Sequence, residues 1–321
     1  MLKRPLLSAG PRLGVDENGL GPRLGPLVVT GVLASVSESG ARRLTRKLPK
    51  DLLCDLGDSK ALLSHHNVSL GEAWARAVCN RGGDSVSTTT QLFNRFSIHG
   101  RSRLRRLCPP TTEAQCWDTR GEKLRAADEL VARVSRHLDR LARMGIAVET
   151  AGIDISCAAE LNAQKRAGVH RFAADLHAME RTILSLRKAS AGPVVAVCGK
   201  VGGMTRYQPY FGPLAQRPHA VVQEAANASV YQFPDVGELR FVRAVDAADP
   251  LVMLASMIGK FFRELLMSRI ARFYSSSVDE RYSRPSGYHD FLTKSFIAQT
   301  EPTRRHLRVA NDCFERQGAK S

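Results

Sequence analysis

The chain has 321 residues, 43% of them hydrophobic, enough for one substantial core with appendages or for two small domains. Lys and Arg number 47 against 31 Asp and Glu, a formal net charge of +16 that favours a polyanionic partner such as nucleic acid, although an Arg-rich, solvated surface accounts for it equally well. No apolar run approaches the ~20 residues of a membrane-spanning helix, so no membrane partner is expected. The N-terminal MLKRPLLSAGPRL lacks the continuous apolar stretch of a secretory signal, and a cytoplasmic location and a monomer are expected. Cysteines at 54, 79, 108, 116, 157, 198 and 313 form no CxxC pair and read as reduced thiols rather than a disulfide or zinc framework.

In chain order, LGVDE and LGPLVVTGVLA within residues 12–35 predict two strands joined by a Gly-rich turn, with Asn18-Gly19 at the corner. DLGDSKALLS offers Asp58 or Ser59 as a helix cap, and LGEAWARAV predicts helix. Between about 80 and 121, the segments RGGDSVSTTTQ, GRSRLRRL and CPPTTEAQCW sustain neither period, predicting an insertion or exposed lobe, disordered in part. Leu130, Val131, Val134, Leu138, Leu141 and Met144 then recur at helical spacing with charges opposite them. AVETAGIDIS predicts a strand, GVHRFAADLHAMERTILSLRK a helix through Phe172, Leu176, Met179 and Ile183, PVVAVCG a buried strand, and LRFVRAV at 239–245 another. Asp249-Pro250 opens a strongly apolar helix to about Phe273, since Asp caps well and Pro suits the first turn. Shorter helices are expected near 289–297 and 303–315. This alternation predicts a layered α/β domain.

Asp16 and Glu17 stand side by side at the end of the first apolar run, where like charges repel. Burying such a pair is costly unless something positive lies between the carboxylates. A divalent ion is the usual remedy, and Mg²⁺ takes one or two carboxylates together with water and phosphate oxygens. A solvent-exposed turn, with Asp16 accepting backbone hydrogen bonds and Glu17 pointing outward, is the simpler account of the dipeptide taken alone.

The surroundings change that balance. GVDENGLGPRLGPLVVTGVL resembles the signature strand of the ribonuclease HII (type 2 ribonuclease H) family. DSKALLS at 58–64, AELN at 159–162 with the later Ala178-Met179 pair, ASMIGKFFRE at 255–264, SGYHDFLTK at 286–294 and TRRHLRVANDCF resemble further motifs of that family in the same order. Together they cover roughly residues 12–66 and 125–315. The resemblance implies a ribonuclease H-like α/β fold, a mixed central sheet flanked by helices, with a C-terminal helical extension. On this reading residues 1–79 and 122–275 form the catalytic domain, 80–121 an insertion and 276–321 the extension. It also implies hydrolysis of RNA in RNA/DNA hybrids, or at ribonucleotides embedded in duplex DNA, through four carboxylates and two Mg²⁺ or Mn²⁺ ions.

Carried over residue by residue, the first two acids are Asp16 and Glu17, and the fourth is Asp246, ten residues before Ser256. Asp249 competes for that place, but helix capping before Pro250 explains it better. The third acid falls in Val197-Cys198-Gly199, where the family reads V-D-G, so a thiol stands in place of a carboxylate. Mg²⁺ and Mn²⁺ prefer oxygen, and a thiol with a pKa of about 8.5 brings neither charge nor hard ligation. The change predicts weakened metal binding and opens an alternative, a catalytically impaired hybrid-binding protein. Gly19-Leu20-Gly21 stands where the family packs its backbone against the ribose 2′-hydroxyl, and Tyr288 where a tyrosine stacks on the sugar, with His289-Asp290 replacing Gly-Thr. Ser59 and Lys60, with Lys260 and Arg263, are expected to face phosphates or support the acids, solvated helix charge being an equal reading for Arg263. Arg101, Arg103, Arg105 and Arg106 read as a solvated surface or as added non-specific duplex affinity.

Overall fold

The computed structural model describes residues 8–44, 46–83, 85–108 and 115–318. Its strands are β1 (Gly10–Asn18), β2 (Leu27–Val36), β3 (Ile146–Ser156), β4 (Val194–Gly199), β5 (Ala220–Glu224), β6 (Ala228–Phe233) and β7 (Gly237–Val242). Its helices are α1 (Glu38–Arg43), α2 (Lys50–Leu53), α3 (Ser59–Leu62), α4 (Ser69–Arg81), α5 (Thr89–Phe96), α6 (Arg101–Leu104), α7 (Asp128–Arg143), α8 (Ala158–Arg166), α9 (Arg171–Ala189), α10 (Pro250–Phe273), α11 (Phe291–His306) and α12 (Asn311–Phe314).

The strands form one mixed sheet in the order β3-β2-β1-β4-β7-β6-β5. β1 runs antiparallel to β2 but parallel to β4, and β4 parallel to β7. Helices cover both faces, as the resemblance implied: α10 packs on β1 and β2 from one side, α9 on β1, β2 and β3 from the other. Strand alternation sorts the side chains between them. Leu13, Val15, Ala196 and Cys198 share a core with Leu176, Met179 and Ile183 of α9, whereas Val197 packs with Val252 of α10. α10 comes so close to β1 that a Cβ on Gly14 would lie 2.3 Å from the Leu251 carbonyl carbon. Apolar all round and buried along most of its length, α10 is the central helix, sandwiched between the sheet and α4. Asp249 caps it through the amides of Leu251 and Val252 and pairs with Arg12 at 2.6 Å.

Three elements differ from the sequence expectation. The strand ending at Val242 does not run on to 245, because Ala244 takes a left-handed conformation (φ 53°) and Val245–Ala247 form a 3-10 turn. Within 80–121, where no period is sustained, α5 carries a capping box between Thr88 and Gln91 and buries Leu92, Phe93 and Phe96 against the α10 side of the core. That segment is also anchored through Glu122, which accepts from Thr89 at 2.6 Å and from buried Arg269 at 2.6 Å; residues 109–114 lie outside the described residues. The two C-terminal helices expected at 289–297 and 303–315 are one long α11 followed by a single turn, α12.

The C-terminal segment returns to the strand β1 region. Arg316 donates to the carbonyls of Gly19 (2.6 Å) and Gly25 (2.8 Å), and Arg23 pairs with Glu315 at 2.5 Å. Cys54, Cys108, Cys116, Cys157, Cys198 and Cys313 are free thiols, and Cys116, Cys157 and Cys313 line one small apolar cavity beside this segment. Among the described residues no helix is long and apolar enough to cross a membrane.

Candidate active site

β1 and β4 are parallel neighbours at the middle of the sheet, so their C-terminal ends open at the same edge. Ligand sites of open α/β sheets gather at such ends. Here β1 delivers Asp16 and Glu17, β4 delivers Cys198 and Gly199, and the turn after β7 delivers Asp246. A Cβ built on Gly199 would lie 3.9 Å from both Asp16 Oδ1 and Glu17 Oε2, which shows how closely the end of β4 abuts the acid pair.

The two adjacent acids serve opposite faces. Asp16 follows Gly14 toward α10, where the Ser256 side chain favours the ionised carboxylate. Ser256 in turn shares a 2.9 Å hydrogen bond with buried Ser59, and its carbonyl accepts from Asn18 Nδ2 at 3.3 Å. Burial raises the Asp16 pKa to about 7, helped by repulsion from Asp246 and opposed by Ser256 and the Lys60 charge. Glu17 follows Leu13 and Val15 toward α9. Its pKa is pushed well above the ordinary value by burial first, then by Asp175, Asp16 and Asp246.

Asp175, on α9, was not singled out by the sequence motifs. It is fully buried, and neither carboxylate oxygen has a hydrogen-bond partner. Burial raises its pKa strongly, with a further contribution from Asp16. Cys198, also fully buried, has its thiol pushed up by burial and by Asp175, Glu17 and Asp16, so it is a neutral thiol at any physiological pH. Asp175, Ala178, Thr182 and Leu186 fall on the inner face of α9, but only the sheet packed under that face reveals that the acid is buried, so the sequence alone carries no clear signal for it.

A second group of residues forms the rim. Gly19 has φ +89° and sits against Arg263, whose Nε lies 2.6 Å from where a Cβ would be. Arg263 is 1% exposed rather than solvated; it pairs with Glu264, donates to the Ser286 carbonyl at 3.1 Å, and stacks its guanidinium 5.2 Å from the centre of the Tyr288 ring. Tyr288 is 40% exposed, and a Cβ on Gly21 would lie 3.9 Å from its Cε1. The Gly19–Gly21 turn and Tyr288 therefore share one surface, tied together by the Arg23 and Leu24 amides donating to the Gly287 carbonyl. Lys60 is exposed at the first turn of α3, capped by Asp58, and Lys260 is half-buried with its pKa lowered by burial.

Among the described residues, no group of three or more His, Cys, Asp or Glu side chains is already arranged to hold a metal ion. The donor chemistry nevertheless suits one. Desolvated carboxylates that raise one another's pKa are what a hard divalent cation neutralises, and the orphaned oxygens of Asp175 are part of that field.

No family model and no curated protein matches the chain. Among solved structures it is similar to ribonuclease H2 from Pyrococcus horikoshii OT3, at 15% identity over 95% of this chain and 92% of that one, TM-score 0.46. It is also similar to ribonuclease HII from Archaeoglobus fulgidus, solved in a complex with PCNA, at 15% identity over 97% of each chain, TM-score 0.43. A third is Bst ribonuclease HIII in complex with Mn²⁺, at 13% identity over 92% of this chain and 72% of that one, TM-score 0.41. The architecture itself is a mixed seven-stranded sheet with helices packed on both faces. Likeness at this level assigns no residue a role, so the site stands on its own geometry.

Proposed function

We propose that the chain is a metal-dependent endonuclease that hydrolyses RNA in RNA/DNA hybrids or at ribonucleotides embedded in duplex DNA. The observation that carries this reading is the opposed burial of Asp16 and Glu17 at the C-terminal edge of β1, with Asp246 close enough to repel both. Asp16, Glu17 and Asp246 would hold Mg²⁺ or Mn²⁺, which supply the positive charge that activates water and stabilises the departing 3′-oxygen. The chain's own residues do the rest. Ser256 and Lys60 favour the ionised form of Asp16 that a cation needs. The backbone of Gly19, Leu20 and Gly21 would offer a surface for a ribose 2′-hydroxyl, with Tyr288 to stack beside it and Lys60 near the phosphates, while Ser59, buried and bonded to Ser256, supports Asp16 rather than facing a phosphate. The +16 net charge adds affinity for the duplex backbone without reading sequence. In this reading residues 1–79 and 122–275 carry the catalysis, with 80–121 and 276–321 as additions.

A second reading has one specific observation in its favour. Cys198 is buried and neutral where the resemblance expects an acid, which suits a protein that holds a hybrid and has lost the chemistry. Binding of an RNA/DNA hybrid and of the matching DNA duplex in EDTA, followed by cleavage assays of wild type and Cys198→Asp in Mn²⁺, separates the two. Preferential hybrid binding with wild-type cleavage supports the nuclease. Preferential binding with cleavage only by Cys198→Asp supports the binding protein, and no preference with no cleavage refutes both.

A further inference from the structure

The acid on α9 is the feature that neither the motifs nor the core explains. Asp16, Asp55, Glu72, Asp154, Asp175, Glu180, Asp249 and Glu264 are the buried acids among the described residues. Asp55 is held by Arg133 and His137, Glu72 by the Arg125 and Ala126 amides, and Asp154 by Arg181 and His99. Glu180 accepts the Gly212 and Leu214 amides, Asp249 pairs with Arg12, and Glu264 with Arg263 and His65, while Ser256 and the Lys60 charge favour ionised Asp16. Of these acids only Asp175 has both oxygens buried and without a hydrogen-bond partner. A carboxyl group without a partner in a packed interior is costly in either protonation state, so its place on the inner face of a core helix calls for a positive group from outside the chain.

Its position gives the reason. Cys198 and Glu17 point to the α9 face of the sheet, as the cores containing Ala196, Leu13 and Val15 show. Asp175 looks at that face from the helix opposite, immediately before Leu176 of the same core, and its charge is felt first among the neighbours of both Glu17 and Cys198. We propose that Asp175 supplies from α9 the metal-facing carboxylate that position 198 of β4 lacks, so that the oxygen donors are Asp16, Glu17, Asp175 and Asp246. The inference rests on the nuclease reading above, and it makes the thiol a displaced position rather than a lost function. A carboxylate on β4 as well would crowd a second negative charge against Asp175, which accounts for a small neutral side chain at 198.

The test is Mn²⁺ affinity, measured by calorimetry and by the Mn²⁺-induced shift of the melting temperature, on wild type, Asp16→Asn, Asp175→Asn, and Asp175→Asn combined with Cys198→Asp. The expected result is binding by wild type, a loss of about tenfold or more in both single variants, and recovery in the double variant. Without metal, Asp175→Asn melts no lower than wild type, because the carboxyl group it replaces makes no hydrogen bond that could be lost. Asp175→Ser, smaller and neutral, serves the same comparison where Asn does not fold. Wild-type affinity in Asp175→Asn beside lost affinity in Asp16→Asn overturns the proposal and leaves the nuclease reading standing. Absence of Mn²⁺ binding by wild type overturns both.

Discussion

Ser59 and Ser256, 197 residues apart in sequence, share a 2.9 Å hydrogen bond directly behind Asp16. The contact ties the first turn of α3 to the second turn of α10 and fixes the hydroxyl that supports the Asp16 carboxylate. Ser256→Ala removes that support and raises the Asp16 pKa above about 7. The acidic limb of a pH–activity profile then moves to higher pH, and activity at neutral pH falls several-fold while activity at pH well above it recovers. A profile that keeps its shape and loses height throughout would point instead to a folding defect.

The same carboxylate makes stability depend on pH. The folded Asp16 titrates at about 7, above the 3.8 of an ordinary aspartate, so the folded state holds a proton that the unfolded chain releases. Its contribution is fully present below 3.8 and is lost as pH rises through about 7. In EDTA, urea unfolding of wild type therefore shows stability falling across that window, and Asp16→Asn flattens the fall. Divalent ion, which binds the ionised acids, reverses the trend above neutral pH.

Gly14 tests the packing that sets the two faces of β1. Adding a Cβ puts it 2.3 Å from the Leu251 carbonyl carbon and 2.4 Å from the Val252 nitrogen, backbone atoms that cannot swing away. Gly14→Ala is expected to cost about 3 kcal/mol in chemical denaturation and to weaken hybrid cleavage by tilting Asp16. Gly203→Ala, with open space around its Cβ, is the control for added bulk, although its φ of +79° carries some strain of its own.

Tyr288 tests the rim. Its ring is 40% exposed and backed by the Arg263 guanidinium, and on the proposed reading it stacks against a nucleotide. Tyr288→Phe keeps the face and retains hybrid affinity, whereas Tyr288→Ala loses about tenfold, the order expected for one stacking contact. Fluorescence anisotropy with a labelled hybrid in EDTA measures both without relying on catalysis.

Much of this architecture is written in local pattern. β1, β2, β3, β4 and α10 are spelled by apolar runs with turn or cap residues at their ends, and Asp249-Pro250 marks the start of α10 as a cap and first turn should. β5 escapes notice because AVVQE is a mostly exposed edge strand with Val221 and Val222 facing out, so no buried alternation marks it. α5 is too short for a period to stand out, and its capping box begins inside a Ser/Thr run that reads as loop. Asp16, Glu17 and Asp246 come into view through motif and spacing. Asp175 does not, because an acid on a helix reads as surface until the sheet is seen to lie under it. The burial of Arg263 is hidden for the same reason: only the fold brings Gly19 and Tyr288 around its guanidinium.

The most direct measurement is cleavage of an end-labelled DNA duplex carrying one ribonucleotide, in Mn²⁺, by wild type and Asp16→Asn, with the all-DNA duplex alongside. A metal-dependent nuclease of the proposed kind makes a single cut on the 5′ side of the ribonucleotide, Asp16→Asn makes none, and neither protein cuts the all-DNA duplex. Equal cutting by both proteins, or no cutting by wild type at any divalent ion concentration, would contradict the proposal.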